Sequence, residues 1–140
     1  MLFSAKAEYA CVAMLELASR SADTKPVRLA DVADRHGIPS RFLVQILLDL
    51  KRAGLVASTR GAAGGYTLGR SADEITLFDV IRIMDPPEQP VRTDDKLQPT
   101  AYVHTVRAVW EKMVEAQETI LKQTTLAGLA ARSEADQYVI

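Results

Sequence analysis

The chain has 140 residues, 48% hydrophobic and 25% charged, which is typical of one soluble globular domain with a modest core. No apolar run reaches the roughly 18 residues of a membrane-spanning helix, and charged residues interrupt the N-terminus too early for a signal peptide. A single cysteine excludes an internal disulfide bond and fits a reducing compartment, so we expect a cytoplasmic protein without a membrane partner.

The net charge of −1 conceals an uneven distribution. Residues 1–70 contain ten Lys and Arg against six Asp and Glu, whereas residues 71–140 contain seven against twelve. Residues 40–70 contain five basic residues and a single acidic one, Asp49. Chance alone could produce this asymmetry, but locally concentrated positive charge is also what contact with nucleic-acid phosphates requires.

The first predicted helix covers residues 5–20. Apolar residues between Ala10 and Leu17 recur at the three- and four-residue spacing of one helix face, and others widen that face. A helix of this kind should be buried on more than one side. A polar loop follows it, and residues 26–28 are predicted to be extended.

Two short helices joined by a tight turn come next, which is the helix-turn-helix pattern. The first spans residues 29–36 and is stopped by Gly37, and the second runs from about residue 40 to residue 53. In such units the second helix lies in the major groove of DNA. Its predicted core stripe is Leu43, Ile46, Leu47 and Leu50.

A glycine-rich hairpin is predicted after this unit. Strand-like runs over residues 55–59 and 66–68 flank a turn with three glycines, which allow positive φ and leave few side chains in the way. Arg60 stands where the turn leaves its first strand, so the tip would approach another molecule while carrying a cation. Together with the helix-turn-helix, the hairpin predicts a winged helix and hence a DNA-binding protein.

The second half of the chain predicts a further short helix and a long one. Thr76 begins a helix that runs to Met84, with Asp79 in place of the usual Glu of a capping box. The long helix covers residues 101–123, and its apolar residues step by three and four as in a heptad seam. We expect this helix to contact a second copy of the chain; packing on its own domain is the alternative.

The predicted fold is therefore mainly α-helical with a small β-hairpin wing. A winged helix-turn-helix domain would occupy residues 1–84, followed by a flexible, proline-rich loop at 85–100. A dimerisation helix region would cover residues 101–131, and residues 132–140 would form a tail.

The sequence resembles the Rrf2 family of bacterial transcription regulators, the IscR, NsrR and CymR type, over about residues 1–131. The order and spacing of several blocks carry the resemblance, together with Trp110 in the long helix. The blocks are KAEYA at 6–10, LADVA at 29–33, GIPSRFLVQIL at 37–47, KRAGLV at 51–56, RGAAGGYTL at 60–68, ITLFDVI at 75–81 and TLAGL at 125–129. The resemblance implies a homodimer that binds a roughly palindromic DNA operator, usually as a repressor.

The resemblance also implies the role of the wing. Arg60 would enter the minor groove, where a guanidinium group is favoured electrostatically. Gly61, Gly64 and Gly65 would let the wing backbone approach the sugar-phosphate chain. An ordinary hairpin with a solvated arginine is the alternative.

The second helix of the helix-turn-helix supplies the other predicted DNA contacts, starting at Ser40. Arg41 could contact phosphate or guanine and Gln45 could read adenine, while Lys51 and Arg52 would contact phosphates. The alternative is that these side chains merely solvate an exposed helix face.

The sequence also predicts the surroundings of five other side chains. Val44 and Leu48 project near the same face, where the family usually carries polar residues, so they would touch thymine methyl groups or pack against something else. Phe42, Tyr66 and Trp110 are expected in the core.

The expected sensor is missing from the sequence. Iron–sulfur members of the family carry three cysteines in the loop before the long helix, and residues 85–100 contain none. The sequence thus predicts a member without a metal or other cofactor, whose signal would be a small molecule, a partner protein or oxidation of Cys11. One alternative is a mixed-ligand metal site across a dimer, formed by Glu8, Cys11 and His104.

Three other function classes fit the sequence less well than a DNA-binding regulator. A winged-helix protein–protein interaction module without DNA binding is the main alternative, and the positive charge within residues 40–70 argues against it. A nucleotide-binding loop is disfavoured because a strand-like run follows Gly65, where a Lys-Ser/Thr pair or a helix is needed. An enzyme is disfavoured because no nucleophile has a nearby base in the sequence.

Overall fold

The structure, a computed structural model, describes residues 3–21, 25–86 and 96–137. The described chain is mostly helical with one antiparallel hairpin, as the sequence predicted. The elements in chain order are α1 (Ala5–Ser19), α2 (Leu29–His36), α3 (Ser40–Arg52), β1 (Val56–Thr59), β2 (Gly65–Leu68), α4 (Leu77–Met84), α5 (Ala101–Gln123) and α6 (Leu126–Gln137).

Helix α1 is the centre of the core. Ala7, Ala10, Ala13 and Met14 are almost completely buried, because α1 packs against α3, α4 and α6 at the same time. The predicted core stripe of α3 is buried from Leu43 to Leu50. Small side chains on α1 let the surrounding helices approach closely, so the helix-turn-helix and the later helices share one core.

The hairpin has a third partner. β1 and β2 pair from Val56↔Leu68 to Thr59↔Gly65, and Val27 bridges the outer side of β2 at Tyr66. The Val27 and Tyr66 amides each donate to the carbonyl oxygen of the other residue at 2.8 Å. The predicted extended piece before α2 therefore pairs with β2 near the turn of the hairpin.

Helix α4 begins as its sequence predicted. The Thr76 hydroxyl accepts from the Asp79 amide at 3.2 Å, and the Asp79 carboxylate accepts from the Thr76 amide at 3.0 Å. At the other end of α4, Asp85 accepts from the Ser4 amide at 3.1 Å and from the Ser4 hydroxyl at 2.6 Å. Because Ser4 itself caps α1, this contact joins the end of α4 to the start of α1.

The start of α6 is attached to the same domain by backbone hydrogen bonds. The Leu77 amide donates to Thr124 at 2.9 Å, and the Leu126 amide donates to Ile75 at 2.9 Å. Leu126 is fully buried. The sequence predicted that the dimerisation helix region ends at residue 131, whereas helix α6 continues to Gln137. Residues 87–95 of the predicted loop lie outside the described residues.

Helix α5 buries no residue in the described chain. Six large apolar side chains along it are exposed, and Trp110 is 43% exposed although the sequence predicted it in the core. No helix among the described residues is long and apolar enough to cross a membrane. The exposed apolar residues of α5 are Tyr102, Val106, Val109, Trp110, Met113 and Ile120.

Candidate nucleic-acid interface

The side of α3 opposite its buried stripe is exposed and carries three of the predicted DNA-binding residues, Arg41, Gln45 and Arg52. Arg41, Gln45, Leu48 and Arg52 follow one another at helical spacing along this side. Ser40 is the first residue of the helix, and no acidic residue lies in the first turn. The helix therefore presents cations and a free N-terminal end on one exposed side, an arrangement that favours an anion.

Asp49 contacts three polar side chains on and beside this side of α3, and the sequence did not predict a role for it. Its carboxylate accepts from the Gln45 side-chain amide at 3.0 Å, and it lies 3.4 Å from the Lys6 ammonium and 3.8 Å from the Arg52 guanidinium. Two cations thus compensate the single acid of the region. The hydrogen bond to Asp49 uses one of the two hydrogens of the Gln45 amide nitrogen. The four-residue spacing of Gln45 and Asp49 was the available sequence signal.

Apolar side chains interrupt the exposed side of α3. Val44 is 51% exposed and Leu48 is 37% exposed. Phe42 is 46% exposed, so its predicted place in the core was wrong, and the Arg41 guanidinium lies 4.8 Å from its ring centroid. A cation at this distance from an aromatic face is attracted to it, so Phe42 restrains Arg41.

The wing follows α3 after a short turn and carries the other predicted residues. Arg60 is exposed, and Gly61 has φ of 105° with open space where a Cβ would lie. The two glycines that follow, Gly64 and Gly65, are required by packing within the wing and against the segment before α2. A Cβ on Gly64 would lie 2.9 Å from the Arg60 carbonyl carbon, and one on Gly65 would lie 2.5 Å from the Val27 carbonyl oxygen. The fold of the wing itself therefore requires glycine at these two positions.

Arg28 contacts the tip of the wing, and the sequence did not predict this contact. Its guanidinium donates a hydrogen bond to the Ala62 carbonyl oxygen, while its neighbour Val27 pairs with Tyr66 on β2, close to the turn. The short segment before α2 therefore holds the wing at its turn and at the adjoining part of β2. No motif announces this contact, because the partners are 34 residues apart.

The predicted site residues thus form two groups on consecutive elements. Ser40, Arg41, Gln45, Lys51 and Arg52 are exposed on α3. Arg60 and Gly61 are exposed at the wing tip, and Gly64 and Gly65 are half-buried behind them. Since β1 begins four residues after the end of α3, the short turn keeps the two groups adjacent in the chain.

The alternative metal ligands do not assemble within one chain. No group of three or more His, Cys, Asp or Glu among residues 3–21, 25–86 and 96–137 could hold a metal ion, and Glu8, Cys11 and His104 form none. Cys11 is half-buried, and burial, together with the negative charges of Asp85 and Glu8, raises the pKa of its thiol to about 11. Cys11 is therefore a protonated thiol near neutral pH.

Comparison with known proteins identifies the family of the chain. Residues 3–132 match the family model described as Rrf2, iron-dependent transcriptional regulator. The chain is 42% identical over 133 residues to a protein of Mycobacterium tuberculosis whose name assigns it to the HTH-type transcriptional regulators, with 93% of this chain and 81% of the relative covered. It is 34% identical over 137 residues to the HTH-type transcriptional regulator CymR of Bacillus subtilis, with 98% and 95% covered.

The family description names iron, but the donor groups of this chain do not suit an iron–sulfur cluster. A cluster needs thiolates or similar ligands at several corners, and the whole chain contains one cysteine with a raised pKa. The described part of a single chain also offers no metal-binding group. The donor set therefore does not fit an iron–sulfur cluster held within one chain.

Two solved structures share the fold over almost the whole chain. CymR of B. subtilis, described as the global cysteine regulator, matches with a TM-score of 0.84 and 34% identity over 94% of this chain and 98% of that one. T. potens IscR matches with a TM-score of 0.81 and 33% identity over 100% and 93%. The curated relatives are transcriptional regulators and not enzymes. The chain belongs to the Rrf2 family of transcription regulators.

Proposed function

We propose that this protein is a homodimeric, sequence-specific DNA-binding regulator that represses transcription from a roughly palindromic operator. The observation that carries the proposal is the exposed side of α3, where Arg41, Gln45 and Arg52 share one side of the helix. This side continues through a short turn into a wing that carries an exposed arginine, Arg60. The two elements would contact the major groove and the adjacent minor groove.

On α3, charge and hydrogen bonding support a reading role in the major groove. Arg41 and Arg52 would contact phosphates or guanine, and Lys51 would add a phosphate contact at the end of the helix. Gln45 would read adenine through its side-chain amide, while one amide hydrogen remains bonded to Asp49. Val44 and Leu48 would contact thymine methyl groups between these polar contacts.

In the wing, Arg60 would enter the minor groove, which attracts guanidinium groups when it is narrow. The open space around Gly61 supports a close approach of the wing backbone to the DNA. The tight backbone at Gly64 and Gly65 would keep Arg60 in position. The contact between Arg28 and Ala62 would limit the movement of the tip.

The long helix supports a dimer. At 100° per residue, its six exposed apolar side chains, from Tyr102 to Ile120, fall within about 100° of the helix circumference. A stripe of this width on a helix without a buried residue favours a second helix as its cover. A second copy would present the same stripe, and two-fold symmetry would then place two recognition helices against two half-sites.

The test begins with genomic fragments selected by the full-length protein. A selected fragment should contain an inverted repeat and bind with an affinity that falls steeply as salt rises. Arg60→Ala should weaken this binding by about tenfold or more and reduce the salt slope by about 1. Arg132→Ala, an exposed arginine on α6, is the matched control and should leave binding unchanged.

Two results would contradict the proposal. If no fragment is retained at low salt, the chain is not a DNA-binding regulator, and co-purification of a partner protein would then support an interaction module. If Arg60→Ala binds the selected fragment as well as the unmodified protein, the role of the wing is wrong. A reporter gene placed behind the selected fragment distinguishes repression from activation.

A further inference from the structure

A cleft of about 430 Å³ lies on the outer side of the wing base, away from the predicted DNA contacts of α3 and the wing tip. The C-terminal end of α1 forms one wall, and β2 with the residues that follow it forms the other. Its volume is within the range of small-molecule sites, which is about 300–1,000 Å³.

The charge of the cleft is positive. Arg20, Lys25 and Arg70 line it, and none of the lining residues within the described ranges is acidic. The Arg20 guanidinium is already paired with Glu16 at 2.9 Å. Lys25 and Arg70 are exposed and form no ion pair within the described residues. Two cations without an ion pair among the described residues attract an anion that carries more than one charge.

The remaining lining is suited to the carbon part of such an anion. Leu17 and Val27 are buried residues that form part of the lining, and Leu68 is half-buried beside them. Tyr66 and Thr67 of β2 and Ser71 after it also belong to the lining. A few polar groups around an apolar base is the usual composition of a site for a small organic ligand.

The cleft also touches the residues that hold the wing. Val27 and Tyr66 line it, and these two residues exchange the backbone hydrogen bonds that join the segment before α2 to β2. The next residue, Arg28, holds the wing tip through Ala62. An occupant that shifts Val27 therefore shifts both supports of the wing, and through them the position of Arg60.

We propose that this cleft binds a small, multiply charged organic anion and that the bound anion changes the affinity of the protein for its operator, an inference that rests on the proposed DNA-binding function. The anion would bridge Lys25 and Arg70 with its charges. Its carbon part would lie on Leu17 and Val27.

Binding is tested first without DNA. Citrate and phosphoserine are titrated into the full-length protein by isothermal calorimetry, and at least one of them should bind saturably with one site per chain. Pyrophosphate, which has no carbon part, is titrated for comparison and should bind more weakly. Lys25→Gln and Arg70→Gln should each weaken this binding about tenfold, because each removes one charge-assisted contact. Arg132→Gln removes an exposed arginine outside the cleft and should have no effect. Failure of both citrate and phosphoserine to bind, or equal weakening by all three variants, would overturn the site.

The regulatory part is tested next with a selected operator fragment. A saturating concentration of the bound probe should change operator affinity by about fivefold or more, and the operator should change probe affinity by the same factor. Binding of the probe without any change in operator affinity would overturn the effector role. If Arg70→Gln weakens operator binding when no anion is present, the cleft belongs to the DNA interface and the proposal fails. Operator binding in the absence of anion tests the proposed function separately.

Discussion

The Arg28 guanidinium donates a hydrogen bond to the carbonyl oxygen of Ala62, and this contact connects the segment before the helix-turn-helix with the tip of the wing. It is an exposed contact, so its value for overall stability is small. Its consequence is geometric, because the tip carries Arg60 within two residues of Ala62. The position of Arg60, the proposed minor-groove contact, therefore depends on a residue outside the wing.

Replacement of this guanidinium should loosen the wing without unfolding the domain. Arg28→Ala is expected to weaken operator binding several-fold, because the tip must be ordered on binding at an added cost of about 1 kcal/mol. Amide hydrogen exchange at residues 61–63 should become faster in the free protein. Unchanged exchange together with weaker binding would show that Arg28 contacts DNA directly and does not act through Ala62.

The wing glycines offer a matched comparison. Gly65→Ala places a methyl group against the Val27 backbone, so the bridge to β2 must move, and we expect a loss of about 1–3 kcal/mol in the free energy of unfolding. Gly61→Ala has open space and meets only the cost of a positive φ, about 1 kcal/mol. Urea unfolding of both variants measures the difference. Equal losses would contradict the packing reason given for Gly65.

The apolar face of α5 predicts the oligomeric state. Met113→Lys places a charge in the centre of the stripe and should convert a dimer to a monomer, because an unpaired charge is costly in an apolar interface. Glu111→Lys adds the same side chain on the opposite side of the helix and is the control. Light scattering after size-exclusion chromatography gives the mass. A Met113→Lys protein that stays dimeric at micromolar concentration would show that the dimer, if formed, uses another surface.

Glu16 links α1 to α2 in the core and makes stability depend on pH. Burial raises the pKa of its carboxyl group, but the charges of Arg35, Arg20 and His36 outweigh burial and hold that pKa below its usual value. The Arg35 guanidinium lies 3.0 Å and the Arg20 guanidinium 2.9 Å from the carboxylate. Because the folded-state pKa is lowered, the stabilisation is present above about pH 4.3 and is lost as pH falls through the folded-state pKa.

The test of this network is the variant Glu16→Gln. It should lower the free energy of unfolding at pH 7 by about 1–3 kcal/mol, since it leaves two guanidinium groups without their buried partner. The difference from the unmodified protein should shrink as pH falls below 4. A difference that is constant between pH 3 and pH 7 would show that the ionised carboxylate does not contribute. Urea unfolding at each pH provides the measurement.

Cys11 predicts a colourless and slowly reacting protein. With a pKa of about 11, the thiolate fraction at pH 8 is about a hundredfold below that of a thiol with the reference value of 9.0. Alkylation by iodoacetamide should be correspondingly slow and should accelerate with pH beyond pH 9. Protein purified without oxygen should show no visible absorption bands. Visible bands would support the mixed-ligand site across two chains that includes Glu8 and His104.

Local signals in the sequence predicted the helices and strands. Features that depend on contacts between residues distant in the chain could not be predicted. The capping box of Thr76 and Asp79 is complete within four residues, so it was readable. The reason for Gly65 lies at Val27, far upstream, and could not be read. Trp110 and Phe42 were expected in the core because they are large and apolar, but burial depends on what packs against them, and a single chain leaves both exposed.

Helix α5 ends where two backbone hydrogen bonds tie Thr124 and Leu126 to the start of α4. Such bonds are made by the main chain, so they persist when the side chains around them change. In the proposed dimer, related regulators could then alter the bases that α3 reads while keeping the angle between α5 and the winged helix. New operator sequences could be acquired without a change in the spacing of the two half-sites.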